Sequence, residues 1–376
     1  MCKLQTISLY IHIPWCLKKC GYCDFYSYVS KDNIPEKKYI EHLLKDFEQD
    51  LRLINNREIN TIFIGGGTPS LLKASSIKQL IYGLKERALV SKNAEISIEA
   101  NPKTMEYKRF IHYKNAGVNR FSLGIQTFNS NLLQKIERTY DSKEAINAIK
   151  ESKKIINNLN LDLMYGLPDQ ILEDTLLDLK NAIKHNPSHI SWYQLSIEPN
   201  TPFYSKKIKL PHEDLIFKML IQGEKLLEKS GYKKYEISSY SKPNYQCQHN
   251  LNYWNFGDYI GIGCSAHGKI TQKNGKVLRT LKNKNINDFL HGNYLNSIHS
   301  VSQKDQVFEY FMNVFRLYKP VLKKHFREKT NVNEIVIKNQ IQIAIKNGFL
   351  TNKKNYWYTT KKGKFFLNLL LEIFLN

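Results

Sequence analysis

The sequence predicts an α/β fold of six β-α units followed by a small winged-helix-like α/β domain. Three observations predict it. Short β-branched or aromatic runs alternate with segments of helical apolar period from about residue 7 to 240. Beyond 240 the alternation gives way to a stretch rich in turn formers and aromatics, and residues 301–376 carry helical patterns around an aromatic strand pair. The length of 376 residues suits two or three domains, each with a core of its own.

Strands are read near 7–13, 60–64, 94–99, 119–125, 160–165 and 189–197, with helices at 35–54, 74–88, 104–116, 143–157 and 171–184 between them. Consecutive strands joined by helices run parallel, and right-handed crossovers curl them into an open sheet or a barrel with its ligand site at the C-terminal strand ends. Four such ends carry unusual residues. A cysteine cluster follows the first strand, Gly65-Gly66-Gly67-Thr68-Pro69 the second, Glu99-Ala100-Asn101-Pro102 the third, and Gly124-Ile125-Gln126 closes the fourth.

Residues 1–240 are therefore read as the β-α domain and 241–300 as an irregular extension with a strand at 258–264. Within it, 269–287 holds six Lys/Arg and no acid, which reads as an exposed loop or linker. Residues 301–376 form the third unit, with helices at 303–317, 334–347 and 361–375 and strands around Phe349-Leu350 and Tyr356-Trp357-Tyr358. The final FFLNLLLEIFLN reads as a docking helix, because so short an apolar stretch cannot span hydrocarbon.

Composition excludes several classes. With 42% hydrophobic and 24% charged residues and no apolar run near the ~18 residues of a bilayer span, a membrane-spanning chain is excluded. The N-terminus MCKLQTISLYIHIPWC lacks the layout of a signal peptide, so a cytoplasmic location is expected. The formal charge of +22 invites a nucleic-acid reading. Only 9 of the 56 basic residues are Arg, the side chain suited to bidentate phosphate contacts, and the remaining 47 Lys read as a compositional background shared with abundant Asn and Ile. Nucleic acid is not the expected partner.

In a reducing compartment, cysteines at 2, 16, 20, 23, 247 and 264 are not read as a disulfide framework, least of all with three of them in eight residues. The spacing C-x3-C-x2-C at Cys16, Cys20 and Cys23, on a loop loosened by Gly21, asks for an inorganic centre. Three thiolates leave one iron of a [4Fe–4S] cubane without a protein ligand and open to a small molecule. The rival is a structural zinc site completed by His12 or Cys2. GGGTP lets backbone approach a ligand closely. It is neither a P-loop, since no Gly-Lys-Ser/Thr follows, nor a dinucleotide fingerprint, since Ser70 stands where a third glycine belongs. Taken alone it reads equally as a tight βα turn.

The run Tyr10-Ile-His-Ile-Pro-Trp-Cys16-x3-Cys20-Gly-Tyr-Cys23, with GGGTP, IEANP, GVNRFSLGIQTFN, DLMYGLP and EYFMNVFRL, resembles the radical S-adenosylmethionine (SAM) superfamily over nearly the whole chain. Within it the likeness is to the coproporphyrinogen-III-oxidase-like family. The resemblance implies a partial (β/α)6 barrel whose [4Fe–4S] cluster on Cys16, Cys20 and Cys23 binds SAM at the open iron. It further implies SAM contacts at Tyr10, Tyr22, Gly66, Gly67, Thr68, Glu99, Gln126, Arg138 and Asp162. Without it, Glu99, Gln126 and Asp162 are polar residues opening loops, and Arg138 is a solvated charge.

The decarboxylating members resemble C-x3-C-x2-C-x-C, whereas this chain continues Asp24-Phe25. It thus looks like the HemW heme-chaperone branch, as does His249-Asn250-Leu251-Asn252-Tyr253-Trp254, which matches the H-N-x-x-Y-W motif linked there to heme. A neutral imidazole is a good axial ligand, and the aromatics offer flat apolar surface. Taken alone, such a histidine reads as a hydrogen-bonded packing residue. Cys247 is an alternative ligand, and Cys264 reads as buried structure.

The expected function is a radical-SAM-type heme chaperone that passes heme to cytochromes or respiratory enzymes. The alternatives are oxygen-independent coproporphyrinogen III dehydrogenase, against which Phe25 argues, and a radical SAM tRNA-modifying enzyme. Residues 301–376, with 14 Lys/Arg against 5 Asp/Glu, are read as steering acidic partners, either a flavodoxin- or ferredoxin-like electron donor or a heme acceptor at an anionic membrane surface.

Overall fold

The structure, a computed structural model, describes residues 6–30, 34–104 and 107–375. Cys2, one of the two suggested fourth zinc ligands, lies outside the described residues.

The six units form as expected. They are β1 (Ile7–Ile13), α1 (Glu36–Ile54), β2 (Ile59–Gly66), α2 (Ala74–Arg87), β3 (Val90–Ala100), α3 (Tyr107–Ala116), β4 (Arg120–Gln126), α4 (Ser142–Ile155), β5 (Leu159–Tyr165), α5 (Leu172–Lys184) and β6 (His189–Gln194). The strands read as continuous apolar runs because helices cover one face and the barrel interior takes the other, so that six of the seven residues of β1 are buried. Helix α1 turns Tyr39, Ile40, Leu43, Leu44 and Phe47 inward at the i, i+4 spacing of a single buried stripe. A capping box sets the start of α4: Asp141 accepts from the Glu144 N–H while the Glu144 carboxylate accepts from the Asp141 N–H.

After β6 the chain adds α6 (Glu213–Lys229), the hairpin strands β7 (Lys233–Glu236) and β8 (Ser239–Ser241), and a seven-residue helix α7 (Gln248–Trp254). Next come β9 (Tyr259–Ile262), β10 (His267–Thr271), β11 (Val277–Lys282) and β12 (Leu295–Ser300). All belong to one twelve-stranded sheet in the order β12-β11-β10-β9-β1-β2-β3-β4-β5-β6-β8-β7. Seven neighbouring strands, β9 and β1 to β6, run parallel, and the two flanking groups run antiparallel. The two ends of the order do not pair, so the barrel is partial.

One expectation is met and one corrected in this region. The strand read at 258–264 forms as β9, which runs parallel to the six and pairs with the outer edge of β1. Residues 269–287 are not an exposed loop, because they supply most of two strands and bury two of their lysines. Lys269 donates to Asp258 at 2.9 Å, beside the Arg57–Asp258 pair at 2.7 Å. Lys282 reaches Asp46 at 2.5 Å and Asp50 at 2.8 Å on α1. A run without acids looked solvated because its counter-charges come from distant segments.

The C-terminal unit has α8 (Gln303–Val314), β13 (Val321–Leu322), α9 (Lys323–Thr330), α10 (Lys338–Lys346), β14 (Leu350–Lys353), β15 (Tyr356–Thr359), α11 (Lys361–Phe365) and α12 (Leu367–Glu372). Its three strands pair in the order β13-β15-β14, the winged-helix-like layout expected. The helix read at 361–375 is broken at Phe366 into α11 and α12, and Leu370 and Phe374 bury into the core around Phe311, Phe315 and Trp357. Phe256, from the turn after α7, belongs to this second core, and Arg279 of β11 pairs with Glu309 of α8 at 2.7 Å. Among the described residues, no helix is long and apolar enough to cross a membrane.

Candidate functional site

The C-terminal ends of β1 to β6 surround a cavity of about 360 Å³. Cys16, Cys20, Tyr22, Cys23, Gly66, Gly67, Thr68, Glu99, Gln126, Arg138 and Asp162 all line it, so eleven of the thirteen residues singled out from sequence converge on one space. Tyr10 and His249 are the two that do not.

The cysteine loop leaves β1 and is fixed by backbone. The Gly67 and Thr68 N–H groups donate to Ile13 O at 2.8 Å and Trp15 O at 2.7 Å, clamping the GGGTP loop against the start of the cysteine loop. The approach is so close that a Cβ on Gly67 would lie 2.5 Å from Trp15 O and 3.0 Å from Cys16 Sγ. Gly66 has φ +111°, and a Cβ there would meet the His12 ring at 2.7 Å. These two glycines answer to close packing under the loop, which a bare βα turn would not require.

Cys16 and Cys20 are buried and Cys23 is half-buried; all three are free thiols. Thr68 Oγ1 donates to Cys16 Sγ at 3.5 Å, and Arg138 Nη1 to Cys20 Sγ at 3.5 Å. The Phe25 N–H donates to Cys23, whose thiol is nonetheless pushed up to about 11 by burial and by its neighbours Cys16 and Cys20. Three thiols that repel one another as thiolates, each with its own donor, suit a cationic inorganic centre. Among the described residues, no group of three or more His, Cys, Asp or Glu side chains is disposed to hold a single metal ion. His12 is also committed, with Nδ1 to Tyr10 OH at 3.1 Å and Nε2 to Tyr26 O at 2.8 Å. With His12 engaged, the three thiols fit an iron–sulfur cluster, one iron of which needs no protein ligand.

The same cavity is lined by the carboxyls of Glu99 and Asp162. Glu99 accepts from the Gly66 N–H at 3.1 Å, and burial, then the nearby Asp162, lifts its carboxyl to about 8. Asp162 is raised by burial against the pull of hydrogen bonds from Ser122 at 2.9 Å and Asn160 at 2.8 Å. Both carboxyls are raised by burial, and an incoming cation favours their ionised form, so the pair makes a seat for an ammonium group. Gln126 has φ +64° at the irregular register where β4 meets β5, which turns its amide into the cavity to accept from Tyr193 OH at 3.2 Å.

Arg138 is not the solvated charge it seemed without the resemblance. Its guanidinium lies 4.9 Å from the Tyr140 ring centre, with Nε donating to Tyr140 OH at 3.1 Å and Nη2 to Gly124 O at 3.1 Å. Tyr10 sits behind the cavity wall, its hydroxyl on His12.

His249 is buried within the seven-residue helix α7. Nδ1 bonds Thr61 Oγ1 at 2.8 Å and Nε2 bonds Tyr253 OH at 2.8 Å, while burial, then Arg120, lowers its pKa to about 3. The imidazole is neutral, as an iron ligand must be, but both nitrogens are engaged. Its neighbour Asn250 is the motif residue that reaches the cavity. Cys247 points away, with Sγ on Glu95 at 3.6 Å, and Cys264 is buried against Tyr39.

Sequence reading missed Ser122, Ser191, Tyr193, Ser238 and Ser239, as well as Lys18 and Lys19 at the mouth. Tyr193 had a legible signal, a polar-tipped aromatic next to the C-terminal end of β6. Ser238 and Ser239 had none, because the β7–β8 turn reaches the cavity only through the antiparallel return of the chain.

Residues 10–180 match the Radical SAM superfamily, and residues 301–366 match the HemN C-terminal domain. The chain is 74% identical over 376 residues to the heme chaperone HemW of Buchnera aphidicola subsp. Acyrthosiphon pisum (strain APS), covering 100% of both chains. It is 50% identical to the heme chaperone HemW of Escherichia coli (strain K12), again over 100% of both. Among solved structures, coproporphyrinogen III oxidase (HemN) from Escherichia coli shares the fold with a TM-score of 0.85 at 22% identity, over 99% of this chain and 90% of that one. A radical SAM domain, a HemN-type C-terminal domain and end-to-end identity to HemW proteins place the chain: it belongs to the HemW family of the radical SAM superfamily.

Proposed function

We propose that the chain is a heme chaperone of the radical SAM type. It holds a [4Fe–4S] cluster on Cys16, Cys20 and Cys23, SAM in the adjoining cavity, and heme as cargo passed to cytochromes or respiratory enzymes in the cytoplasm. One observation carries the reading: three hydrogen-bonded thiols and the carboxyls of Glu99 and Asp162 face a single cavity. The chain that builds it is similar from end to end to heme chaperones.

The reduced cluster and SAM, when bound, supply one-electron cleavage chemistry. The chain's own residues do the rest. Glu99 and Asp162 take the positive end of the ligand, Gln126 and the GGGTP backbone orient it, and Phe25, 58% exposed at the mouth, occupies the place of the fourth cysteine in the decarboxylating relatives. In this reading residues 1–240 form the cofactor domain, 241–300 carry the heme motif, and the basic residues 301–376 meet an acidic electron donor or an acceptor at an anionic membrane surface.

Anaerobic reconstitution followed by parallel assays tests the reading. The expected result is about 4 irons per chain, the content of one such cluster, and a stable Soret band on heme titration, without decarboxylation of coproporphyrinogen III. Decarboxylated product would make the chain a coproporphyrinogen III dehydrogenase. Cluster without a Soret band would remove the heme cargo.

A further inference from the structure

We infer that Arg138 sets the reduction potential of the cluster through its hydrogen bond to Cys20, and that Tyr140 and Gly124 exist at this site to aim it. The inference rests on the cluster reading above. It goes beyond the ligand contact that resemblance gives Arg138, because it concerns the bond to sulfur.

The three thiols have donors of different kinds. Cys16 has the Thr68 hydroxyl, Cys23 the Phe25 backbone N–H, and Cys20 the Arg138 guanidinium. Two of these are neutral dipoles. Hydrogen bonds to cluster sulfurs and nearby charge are the means by which a protein raises the potential, since both favour the reduced, more negative state. A charged donor acts about twice as strongly as a neutral one, and here it acts on a buried sulfur where water screens it little. Arg138 therefore outweighs the other two.

The guanidinium is fixed before any cofactor arrives. Nε is held by Tyr140 OH, Nη2 by Gly124 O, and the cation lies over the Tyr140 ring. Tyr140 is itself pinned, its hydroxyl shared between Gly124 O at 2.5 Å and Ile125 O at 3.0 Å. Gly124 makes room: a Cβ there would lie 3.3 Å from Arg138 Nη2. Three of the five guanidinium N–H groups are thus spent on the protein, one of them on the sulfur. An arginine whose sole task was to grip a ligand carboxylate would not be tied to a cysteine.

The test is an anaerobic redox titration followed by electron paramagnetic resonance, on reconstituted protein without SAM, so that a lost ligand contact does not enter. Arg138→Gln keeps a neutral donor, Arg138→Lys keeps the charge without the planar fork, and Thr68→Ala removes a neutral donor. The expected result for Arg138→Gln is a fall of about tenfold in the reduced-to-oxidised ratio at fixed potential, about 59 mV for one electron. Arg138→Lys should fall between parent and Gln, and Thr68→Ala should shift less than Arg138→Gln. Variants carrying the parent's iron and sulfide content and titrating at the parent's potential would overturn the inference while leaving the cluster reading intact. Tyr140→Phe, which removes one holder without touching the cation, should reproduce part of the shift and guards against misfolding of the Arg138 variants.

Discussion

His249 and Tyr253 close a 2.8 Å hydrogen bond across one turn of α7, and Thr61 on β2 holds the other imidazole nitrogen at 2.8 Å. For this histidine to bind iron, one of those bonds has to open. Tyr253 is the cheaper partner to lose, because its bond stays within one short helix whereas Thr61 also donates to Ser8 in the barrel. Tyr253→Phe should therefore raise heme affinity by about two- to tenfold, the worth of one hydrogen bond of ~0.5–1.5 kcal/mol. His249→Ala should abolish the Soret band and cost ~1–3 kcal/mol of stability by leaving the Tyr253 hydroxyl without its partner, while Thr61 keeps Ser8. Heme titration of the two variants decides it, and equal affinity in parent and Tyr253→Phe would mean that His249 is not the ligand.

Glu99 gives the site a pH signature. Its carboxyl is lifted to about 8, first by burial and then by Asp162, so it is mostly protonated in the free protein at neutral pH. A cationic ligand needs the carboxylate, so its binding should release close to one proton at pH 7 and tighten as pH rises toward 8. The sign for folding is opposite. An acid raised in the folded state contributes stability that is full below its unfolded value and lost as pH rises through about 8. Glu99→Gln should flatten both profiles; SAM calorimetry in buffers of different ionisation enthalpy and urea melts across pH 4.5–8.5 measure them.

Gly67→Ala should block cluster loading. The added methyl meets Trp15 O and Cys16 Sγ, and neither can retreat, since Trp15 is buried and its carbonyl already accepts from the Thr68 N–H. The expected outcome is a loss of ~1–3 kcal/mol from overpacking together with iron content well below that of the parent. Iron and sulfide analysis after reconstitution would refute this if loading were unchanged.

Lys282→Met should destabilise the chain by ~3–5 kcal/mol, the cost of leaving buried charge without its partner, here Asp46 and Asp50. The double variant Asp46→Asn with Lys282→Met should recover part of the loss. Denaturant unfolding reports both, and a Lys282→Met midpoint equal to the parent's would return this lysine to the solvent-exposed reading.

The part of the molecule legible in the sequence is the part governed by local period. β1 was bounded to the residue, and the helices of the first five units to within a few residues, because buried strands and one-sided helices write their burial into consecutive residues. The strands β10 and β11 were hidden because their lysines read as solvated, and only tertiary pairing with Asp258, Asp46 and Asp50 shows otherwise. The site divided in the same way. Motif residues at strand ends could be named, whereas the Arg138 to Cys20 bond, the engaged nitrogens of His249 and the serines of the β7–β8 turn depend on segments far apart in the chain.

The pairing of Ser8 with Tyr259 also bears on how the chain reaches this state. One edge of β1 is satisfied by β2 soon after synthesis begins, while the other stays bare until about two thirds of the chain has been made. At ~5–20 residues per second, that wait is on the order of 10 s or more. During it the strand that leads into the cysteine loop is an open edge, able to pair wrongly or to be held by another protein. Arrival of β9 closes the edge and sets the foot of the loop, so the nascent barrel is a late folder at the very place where iron has to enter.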